Sequence, residues 1–314
     1  MPHRQILLQG ISALSQASLA PMQAYGTEVA AVVEVGRGGQ SWQGIPVFDL
    51  VAQAIAALGK IDTSIVGVAP DQVADAALEA IAAGVRQLVL LPNPVPPLDM
   101  LKIIRAAEAT GTVILGAGSA GLIVPERFLL GTLTPHFYRP GPVGLIGRTS
   151  PQLLEAIATE LSQAGMGQSV VVHLGVGNIL GSTFADWLPL LAQNEDTSAI
   201  VLLEQHLLGN DTAAVQLQTT IQKPVLAYIA GQNLPPLVNP TPAATSDFFQ
   251  SLYTLPHTCT AAQKLKDYQI AQIPVARSLQ HLVQWLQEVL TAPMPSSAAL
   301  SSSELTRMTR LSNP

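Results

Sequence analysis

The glycine-rich segment "GRGG" (36–39) contains the residue types best suited to binding a phosphate. Arg37 carries a planar guanidinium that binds a phosphate through two hydrogen bonds at once. The flanking glycines let a ligand approach the backbone closely. The sequence therefore predicts a phosphate-binding loop that includes Arg37 and Gly38. An ordinary solvent-exposed loop is the alternative.

A second polar segment, "GISALSQASLA" (10–20), follows the first predicted strand. Gly10 opens the segment, and Ser12, Ser15 and Gln16 supply hydrogen-bond donors beside the backbone amides. In mononucleotide-binding α/β folds, the loop at this place holds a phosphate. These four residues are therefore candidate ligand-binding residues. The alternative is that the serines only cap the following helix.

The histidines do not show the spacing of a metal site, either among themselves or to Cys259. We therefore expect no metal. His173 lies inside an apolar strand, which predicts a core histidine with satisfied hydrogen bonds. His206 follows the predicted strand "SAIVLLEQ" (198–205), and His257 lies two residues before the cysteine. These last two are the only candidates for a substitute nucleophile.

The segment "GAGSAG" (116–121) is a literal G-x-G-x-x-G after a predicted strand. The residues that follow, "LIVPERF", include Pro125 and do not form an amphipathic helix pattern. Without a helix amino terminus there is no dipole end to hold a pyrophosphate, so a tight turn is predicted. Together with Glu34 near the end of the second strand, this motif supports the alternative of an NAD(P)-binding oxidoreductase.

The segment "GRTS" (147–150) precedes Pro151 and predicts the start of a helix. Ser150 is a suitable N-cap for that helix. The alternative is an anion site formed by the free backbone amides at the start of this helix together with Arg148.

Apolar strands alternate with alanine-rich helical stretches along the chain. This pattern is typical of an α/β protein with parallel sheets and helices on both faces. The alternation pauses at "YRPGPVG" (138–144) and then restarts. We therefore predict two α/β domains, residues 1–137 and 138–292. The Ser/Pro-rich residues 293–314 are predicted to form a disordered tail.

Composition restricts the class of protein further. Only 11% of residues are charged, against roughly 25% in average domains, which favours a partner chain covering part of the surface. A net charge of −6, with the 15 Lys and Arg scattered, argues against nucleic-acid binding. The uncharged run 224–246 contains five prolines and is not a membrane span. A single cysteine and the short apolar stretch at the start predict a cytoplasmic protein.

Five stretches, in this order, resemble the α-subunit of succinyl-CoA synthetase, of the ADP/GTP-forming acyl-CoA ligase family. They are "AYGTEVAAVVEVGRGGQSWQGIPVF", "ALEAIAAGVRQLVLL", "PPLDMLKIIRAAEATG", "AGMGQSVVVHLGVGNILGSTFADWL" and "KPVLAYIAG". The resemblance extends to about residue 290. It implies a CoA-binding Rossmann-like domain followed by a flavodoxin-like ligase domain. It also implies an ATP-grasp β-subunit-like partner chain, with a homo-oligomer as the alternative.

The resemblance implies that CoA or acyl-CoA lies on the first domain. The family's loop after strand one falls on Gly10, Ser12, Ser15 and Gln16, and the lysine of its G-K-G-G loop falls on Arg37. Further contacts fall on the turn Val68, Ala69 and Pro70 and on the turn Pro92, Asn93 and Pro94.

The second domain departs from the family pattern. The family carries phosphate on a histidine in a G-H-A-G motif soon after the strand matching "YIAG", but residues 224–246 contain no histidine here. The glutamate that orients that histidine is replaced by Gln205. The Ser-Gly phosphate turn falls on Thr149-Ser150-Pro151, and the cysteine of a P-N-C-P-G turn falls on Ser119.

Phosphohistidine transfer requires a nucleophilic imidazole, an acidic partner that fixes its tautomer, and preorganised amides that receive the phosphoryl group. The sequence therefore predicts a non-catalytic CoA- or nucleotide-binding regulatory or structural subunit. The alternatives are an active ligase subunit that uses a replacement residue and an NAD(P)-binding oxidoreductase.

Overall fold

The computed structural model describes residues 5–205, 208, 221–233 and 260–291. In these residues the chain forms two mixed sheets of seven strands each, with helices packed against them. The predicted α/β class, with two parallel-rich sheets in series, is confirmed.

The first sheet has the strand order β3-β4-β2-β1-β5-β6-β7, and all its neighbours are parallel except β3 and β4. Its central strands are continuous apolar or uncharged runs, as expected for parallel strands covered on both faces. The strands are β1 (Ile6–Gln9), β2 (Val29–Val33), β3 (Ser41–Trp42), β4 (Ile45–Phe48), β5 (Thr63–Val66), β6 (Gln87–Leu90) and β7 (Val113–Leu115). The helices are α1 (Ala13–Ala24), α2 (Val51–Leu58), α3 (Val73–Ala82) and α4 (Pro97–Thr110).

The second sheet has the order β14-β13-β12-β10-β11-β8-β9, in which β8 pairs antiparallel with both β11 and β9. The strands are β8 (Gly121–Val124), β9 (Phe128–Gly131), β10 (Pro140–Arg148), β11 (Gln168–His173), β12 (Ala199–Gln205), β13 (Val225–Ala230) and β14 (Val275–Ala276). The helices are α5 (Pro151–Gln163), α6 (Phe184–Gln193), α7 (Ala261–Ile270) and α8 (Leu279–Thr291).

The chain passes from the first sheet to the second between Leu115 and Gly121. The hairpin β8–β9 therefore lies in the second sheet, although its residues precede the Pro/Gly joint at 138–144. The division into domains at residue 137 stays a prediction, because the exchange of sheets and the joint fall at different places.

The hairpin of the second sheet packs on α1 of the first. The Thr27 hydroxyl donates to the Leu129 carbonyl at 2.9 Å, and the Gly131 amide donates to the Met22 sulfur at 3.4 Å. A single apolar cluster includes Leu19 and Met22 together with Leu129 and the strands of the second sheet. Burial of this cluster links the two sheets through one continuous core.

In each sheet, the order in which the chain adds strands reverses at one central strand. The chain leaves β1 towards β2 and later returns to pair β5 on its other side. In the same way β10 lies between β11 and β12. In open α/β sheets, ligands bind at the carboxyl ends of strands at such switch points. We therefore expect a ligand site in the loops that follow these strands.

Several sequence predictions are decided by these elements. The segment 116–121 bends at residues 117 and 118 and leads into strand β8, so the predicted lack of a nucleotide-binding helix after it is confirmed. The hairpins β3–β4 and β8–β9 were not expected. The stretch "NDTAAVQLQTTIQ" (210–222), whose composition predicts a helix, lies almost wholly outside the described ranges, and the predicted tail at 293–314 lies wholly outside them.

Candidate functional site

The loop between β1 and α1 lies directly against the loop after β5. Gly10 has a φ of +91°, and a Cβ at this position would lie 2.7 Å from Cγ1 of Val68. The Ser12 hydroxyl donates to the Gly67 carbonyl at 2.5 Å, and the Ser15 hydroxyl donates to the Gly10 carbonyl at 2.6 Å. Only glycine at residue 10 combines this φ with this close approach.

Ser12 also caps α1, because its oxygen accepts a hydrogen bond from the Ser15 amide at 3.2 Å. The two serines therefore fix the loop, as the capping alternative predicted, and their hydroxyls are engaged within the protein. Gln16 lies one residue further along the helix and is exposed. Of these candidates, Gln16 is the side chain that faces solvent freely enough to reach a ligand.

The glycine-rich loop after β2 is organised by a carboxylate from the end of β4. One oxygen of Asp49 accepts hydrogen bonds from the Gly36 amide at 2.7 Å and from the Gly38 amide at 2.9 Å. Arg37 lies between these two amides and is exposed. The Arg37 guanidinium is therefore carried by a loop whose backbone the Asp49 carboxylate holds in place.

Glu34 connects the two loops. It follows β2 directly, it is half-buried, and its Oε2 accepts a hydrogen bond from the Ile11 amide at 2.7 Å. A bond from an amide to a carboxylate is charge-assisted and is stronger than a bond between neutral groups. The first amide after Gly10 is thus occupied by the protein's own carboxylate.

The structure brings most of the predicted ligand-binding residues to one edge of the first sheet. The loops that begin at Gly10, at Glu34 and at Gly67 contact one another through the bonds just described. Val68 is half-buried in this group, and Ala69 and Pro70 follow it at the exposed rim. Asn93 is exposed after β6 and lies against Gly118, in the connection between the two sheets. The ligand-binding role of all these residues stays a prediction.

At the second switch point, Gln205 caps the turn before α5. Its Oε1 accepts hydrogen bonds from the Ser150 amide at 3.1 Å and from the Thr149 hydroxyl at 3.3 Å. The Ser150 hydroxyl oxygen in turn accepts from the Leu153 amide at 3.4 Å, and Pro151 at the first helical position has no amide hydrogen. The predicted capping role of Ser150 is confirmed. The Ser150 and Leu153 amides at the start of α5 are thus satisfied by neutral groups of the chain itself.

His173 is fully buried at the end of β11 and uses both ring nitrogens. Its Nδ1 accepts a hydrogen bond from the Ala120 amide at 2.8 Å, and its Nε2 lies 2.7 Å from the Thr149 carbonyl. Because an amide can only donate and a carbonyl can only accept, the ring is neutral with its proton on Nε2. Burial lowers the pKa of His173 to about 4. The predicted core histidine is confirmed.

Ser119, which falls on the family's cysteine, is buried in the same region. Its hydroxyl donates to the His173 carbonyl at 2.5 Å and accepts from the Gly121 amide at 2.8 Å. This residue therefore fixes the connection between the sheets to the end of β11.

On the opposite face of β12, Glu204 forms a buried ion pair with Lys264 of α7. Tyr268, one helical turn further along α7, donates its hydroxyl hydrogen to Glu204 Oε1 at 2.7 Å. The side chains of Glu204 and Lys264 are 2% and 0% exposed. A carboxylate and an ammonium are buried so completely only when they are paired, so this cluster fixes α7 against β12.

The two histidines considered as substitute nucleophiles, His206 and His257, lie outside the described residues. Within the described ranges, there is no group of three His, Cys, Asp or Glu side chains arranged to bind a metal ion. The same ranges contain no helix with the length and apolar character needed to cross a bilayer.

Sequence reasoning did not identify Asp49, Glu204 or Lys264. Asp49 follows β4, a strand that the sequence did not predict, and its proximity in sequence to the glycine-rich loop was the available signal. The pairing of Glu204 with Lys264 joins residues 60 positions apart. A single sequence carries no signal for such a pair.

Comparisons with known proteins identify the family. A family model described as CoA binding domain matches residues 2–93. Over 212 residues the chain is 33% identical to subunit alpha 2 of an ADP-forming succinate–CoA ligase from Archaeoglobus fulgidus, covering 68% of this chain and 73% of that protein. It is 34% identical over 238 residues to the malate–CoA ligase subunit alpha of Methylorubrum extorquens, covering 73% of this chain and 79% of that protein.

Solved structures share the fold at low sequence identity. An ATP citrate lyase from Methanothrix soehngenii, in complex with citrate and coenzyme A, superposes with a TM-score of 0.74 at 17% identity. The match covers 99% of this chain but 55% of that chain, so this chain spans about half of the larger protein. At 33% identity over 73% of a succinate–CoA ligase α subunit, this chain belongs to the family of succinate–CoA ligase α subunits.

Proposed function

We propose that this protein is an α-subunit-like member of the family that binds CoA, acyl-CoA or a related nucleotide and does not carry out phosphohistidine transfer. It acts as a regulatory or structural subunit. The observation that carries the proposal is the capping of α5 by Gln205, at the turn where the resemblance implies a phosphoryl group.

The first domain supports nucleotide binding. Its residues 2–93 match the family model described as CoA binding domain. Its three loops meet at the switch point of the sheet, and Arg37 is exposed there on a loop that Asp49 orders. A guanidinium on an ordered loop loses less conformational entropy on binding a phosphate than one on a free loop.

The second domain supports the loss of phosphoryl transfer. A glutamate at residue 205 would supply the negative charge that stabilises an imidazolium, whereas the Gln205 amide is neutral. The Gln205 oxygen instead accepts the Ser150 amide, and Pro151 removes another donor. His173, the buried histidine nearest this turn, has both ring nitrogens in hydrogen bonds to the backbone. Within the described residues, an incoming phosphoryl group at this turn would therefore meet an imidazole whose two nitrogens are engaged and a Ser150 amide that already has an acceptor.

The proposal includes a partner chain. The related proteins named above are α subunits of ligases, and we propose a β chain of ATP-grasp type or a second copy of this chain as the partner. The low charged fraction, 11%, supports a surface that is partly covered in the assembly.

A phosphorylation assay tests the proposed loss of chemistry. The full chain is incubated with an ATP-grasp β chain, Mg²⁺ and γ-labelled ATP, and the acid-labile label on this chain is measured. The α subunit of the Archaeoglobus fulgidus succinate–CoA ligase, in the same reaction with its own β subunit, is the positive control. We expect no label on this chain above background, while the control is labelled. A stoichiometric label on this chain would refute the proposal.

An active ligase subunit is the second candidate, favoured by the identity to relatives named as succinate–CoA and malate–CoA ligases. In that case His206 or His257 would supply the nucleophile. A label that disappears in His206→Ala or in His257→Ala, with folding intact by circular dichroism, would establish this candidate and identify the residue.

A further inference from the structure

Two amides of the glycine-rich loop 36–39 bind an anion that the chain itself supplies. Backbone amides that converge on one point form an anion site. In this loop the Gly36 and Gly38 amides both donate to one oxygen of Asp49, at 2.7 and 2.9 Å. The other oxygen of Asp49 lies so close to Gly38 that a Cβ at residue 38 would clash with it. The glycine at this position therefore gives its space to the carboxylate and not to a ligand.

The other two amides of this loop are also used within the protein. The Arg37 amide donates to the Glu34 carbonyl at 3.1 Å, and the Gly39 amide donates to the Val47 carbonyl at 2.9 Å. The Arg37 guanidinium, in contrast, is exposed and makes no hydrogen bond or ion pair with the residues that the structure describes. A phosphate that reaches this loop therefore meets an available guanidinium and amides that already have acceptors.

We propose that Asp49 is the positioning residue of the nucleotide site, and that this loop recognises a ligand phosphate through the Arg37 side chain and not through its amides. This inference rests on the proposed binding of CoA by the first domain. By holding the amides on both sides of Arg37, Asp49 fixes the backbone that carries the guanidinium, so less conformational entropy is lost when a phosphate binds. Asp49 acts as an acceptor, since its negative charge by itself repels a phosphate.

Isothermal titration of the full chain with CoA measures the contribution of Asp49. Asp49→Ala removes the acceptor, so the Kd for CoA rises about tenfold, which corresponds to about 1.4 kcal/mol. Asp49→Asn keeps an oxygen acceptor for both amides and removes the charge, so its Kd equals the wild-type value or falls below it. Glu28→Ala, at the exposed opposite end of β2, makes the same change in net charge and is the matched control, with an unchanged Kd.

A double-mutant cycle with Arg37→Gln shows whether Asp49 acts through the guanidinium. Arg37→Gln alone raises the Kd for CoA by about tenfold or more. In the Arg37→Gln background, Asp49→Ala then changes the Kd by less than about twofold, because the group that Asp49 positions is absent. Gly38→Ala is a second route to the same effect, since its Cβ displaces the Asp49 carboxylate, and it raises the Kd as Asp49→Ala does. Circular dichroism verifies that each variant is folded.

The outcomes distinguish this inference from the proposed function. If Asp49→Ala binds CoA as tightly as the wild type or more tightly, the loop amides are a ligand site that Asp49 obstructs, and the inference is refuted while CoA binding stands. The same conclusion follows if Asp49→Ala weakens binding equally with and without Arg37, or if Asp49→Asn weakens it as much as Asp49→Ala. If the wild-type chain does not bind CoA at millimolar concentration, both CoA binding and the inference are refuted.

Discussion

Protonation of His173 is expected to destabilise the fold in mildly acidic solution. The ring is fully buried, accepts a hydrogen bond from the Ala120 amide through Nδ1, and lies 2.7 Å from the Thr149 carbonyl through Nε2. A second proton must be placed on Nδ1, where it would face the Ala120 hydrogen instead of accepting it. Burial also disfavours the charged ring, so the folded protein holds the pKa at about 4.

The size of the effect follows from the difference between the folded and unfolded states. An unfolded histidine takes up its proton near pH 6.5. Because the pKa is lower in the folded state, the contribution of His173 is complete above pH 6.5 and is lost as the pH falls towards 4. At roughly 1.36 kcal/mol for each pH unit, the difference between 6.5 and about 4 amounts to about 3 kcal/mol of unfolding free energy.

Urea unfolding at pH values from 4 to 8, followed by circular dichroism, measures this linkage in the wild type and in His173→Gln. The variant is expected to be less stable at pH 8 because two buried groups lose their partners, each costing about 1–3 kcal/mol. The difference in unfolding free energy between the wild type and the variant should then decrease by about 3 kcal/mol between pH 6.5 and pH 4. His136→Gln, at an exposed ring, is the matched control and should follow the wild type. A difference in unfolding free energy that stays constant over this pH interval would show that His173 does not titrate as the geometry requires.

Three further perturbations have defined outcomes. Gly67→Ala would place a Cβ 2.3 Å from the Ser15 hydroxyl oxygen, so thermal unfolding should show a loss of about 1–3 kcal/mol. Asp49→Ala should free the glycine-rich loop and increase the rate of tryptic cleavage after Arg37, whereas Asp49→Asn, which keeps an acceptor, should cleave at a rate close to that of the wild type. Lys264→Met leaves the buried Glu204 unpaired and should cost about 3–5 kcal/mol in chemical unfolding, and adding Glu204→Gln should restore most of it.

The parts of the fold predicted from sequence are those that local patterns determine. The buried strands are short apolar runs, and the helices after them begin and end at recognisable residues such as Thr183 and Gly111. Gly10, the serines after it and the glycines around Arg37 marked the loops that the sheet brings together. Their position at one edge follows from parallel pairing, since all carboxyl ends then point the same way.

The parts that were missed depend on contacts between distant segments. Strand β8 of the hairpin pairs with β11, with Val171 opposite Ile123 and His173 opposite Gly121, so its place in the second sheet cannot be inferred from its own residues. The role of Asp49 could not be predicted from the sequence for a related reason. An aspartate at a strand end is a common turn residue, and only the fold shows that its carboxylate binds the Gly36 and Gly38 amides.

The loop amides at both switch points are occupied by acceptors from the chain, but the two occupants differ physically. In the first sheet they are the carboxylates of Glu34 and Asp49, which lie at an accessible rim. Arg37 is exposed at the same rim, so the loop that Asp49 orders also carries a positive charge there. In the second sheet the occupant is the neutral amide of Gln205, bonded to the fully buried Thr149 and to the Ser150 amide beside Pro151. An anion that bound the Ser150 amide would have to displace the Gln205 oxygen from it. The loop amides described here are therefore held by carboxylates in the first sheet and by a neutral amide in the second.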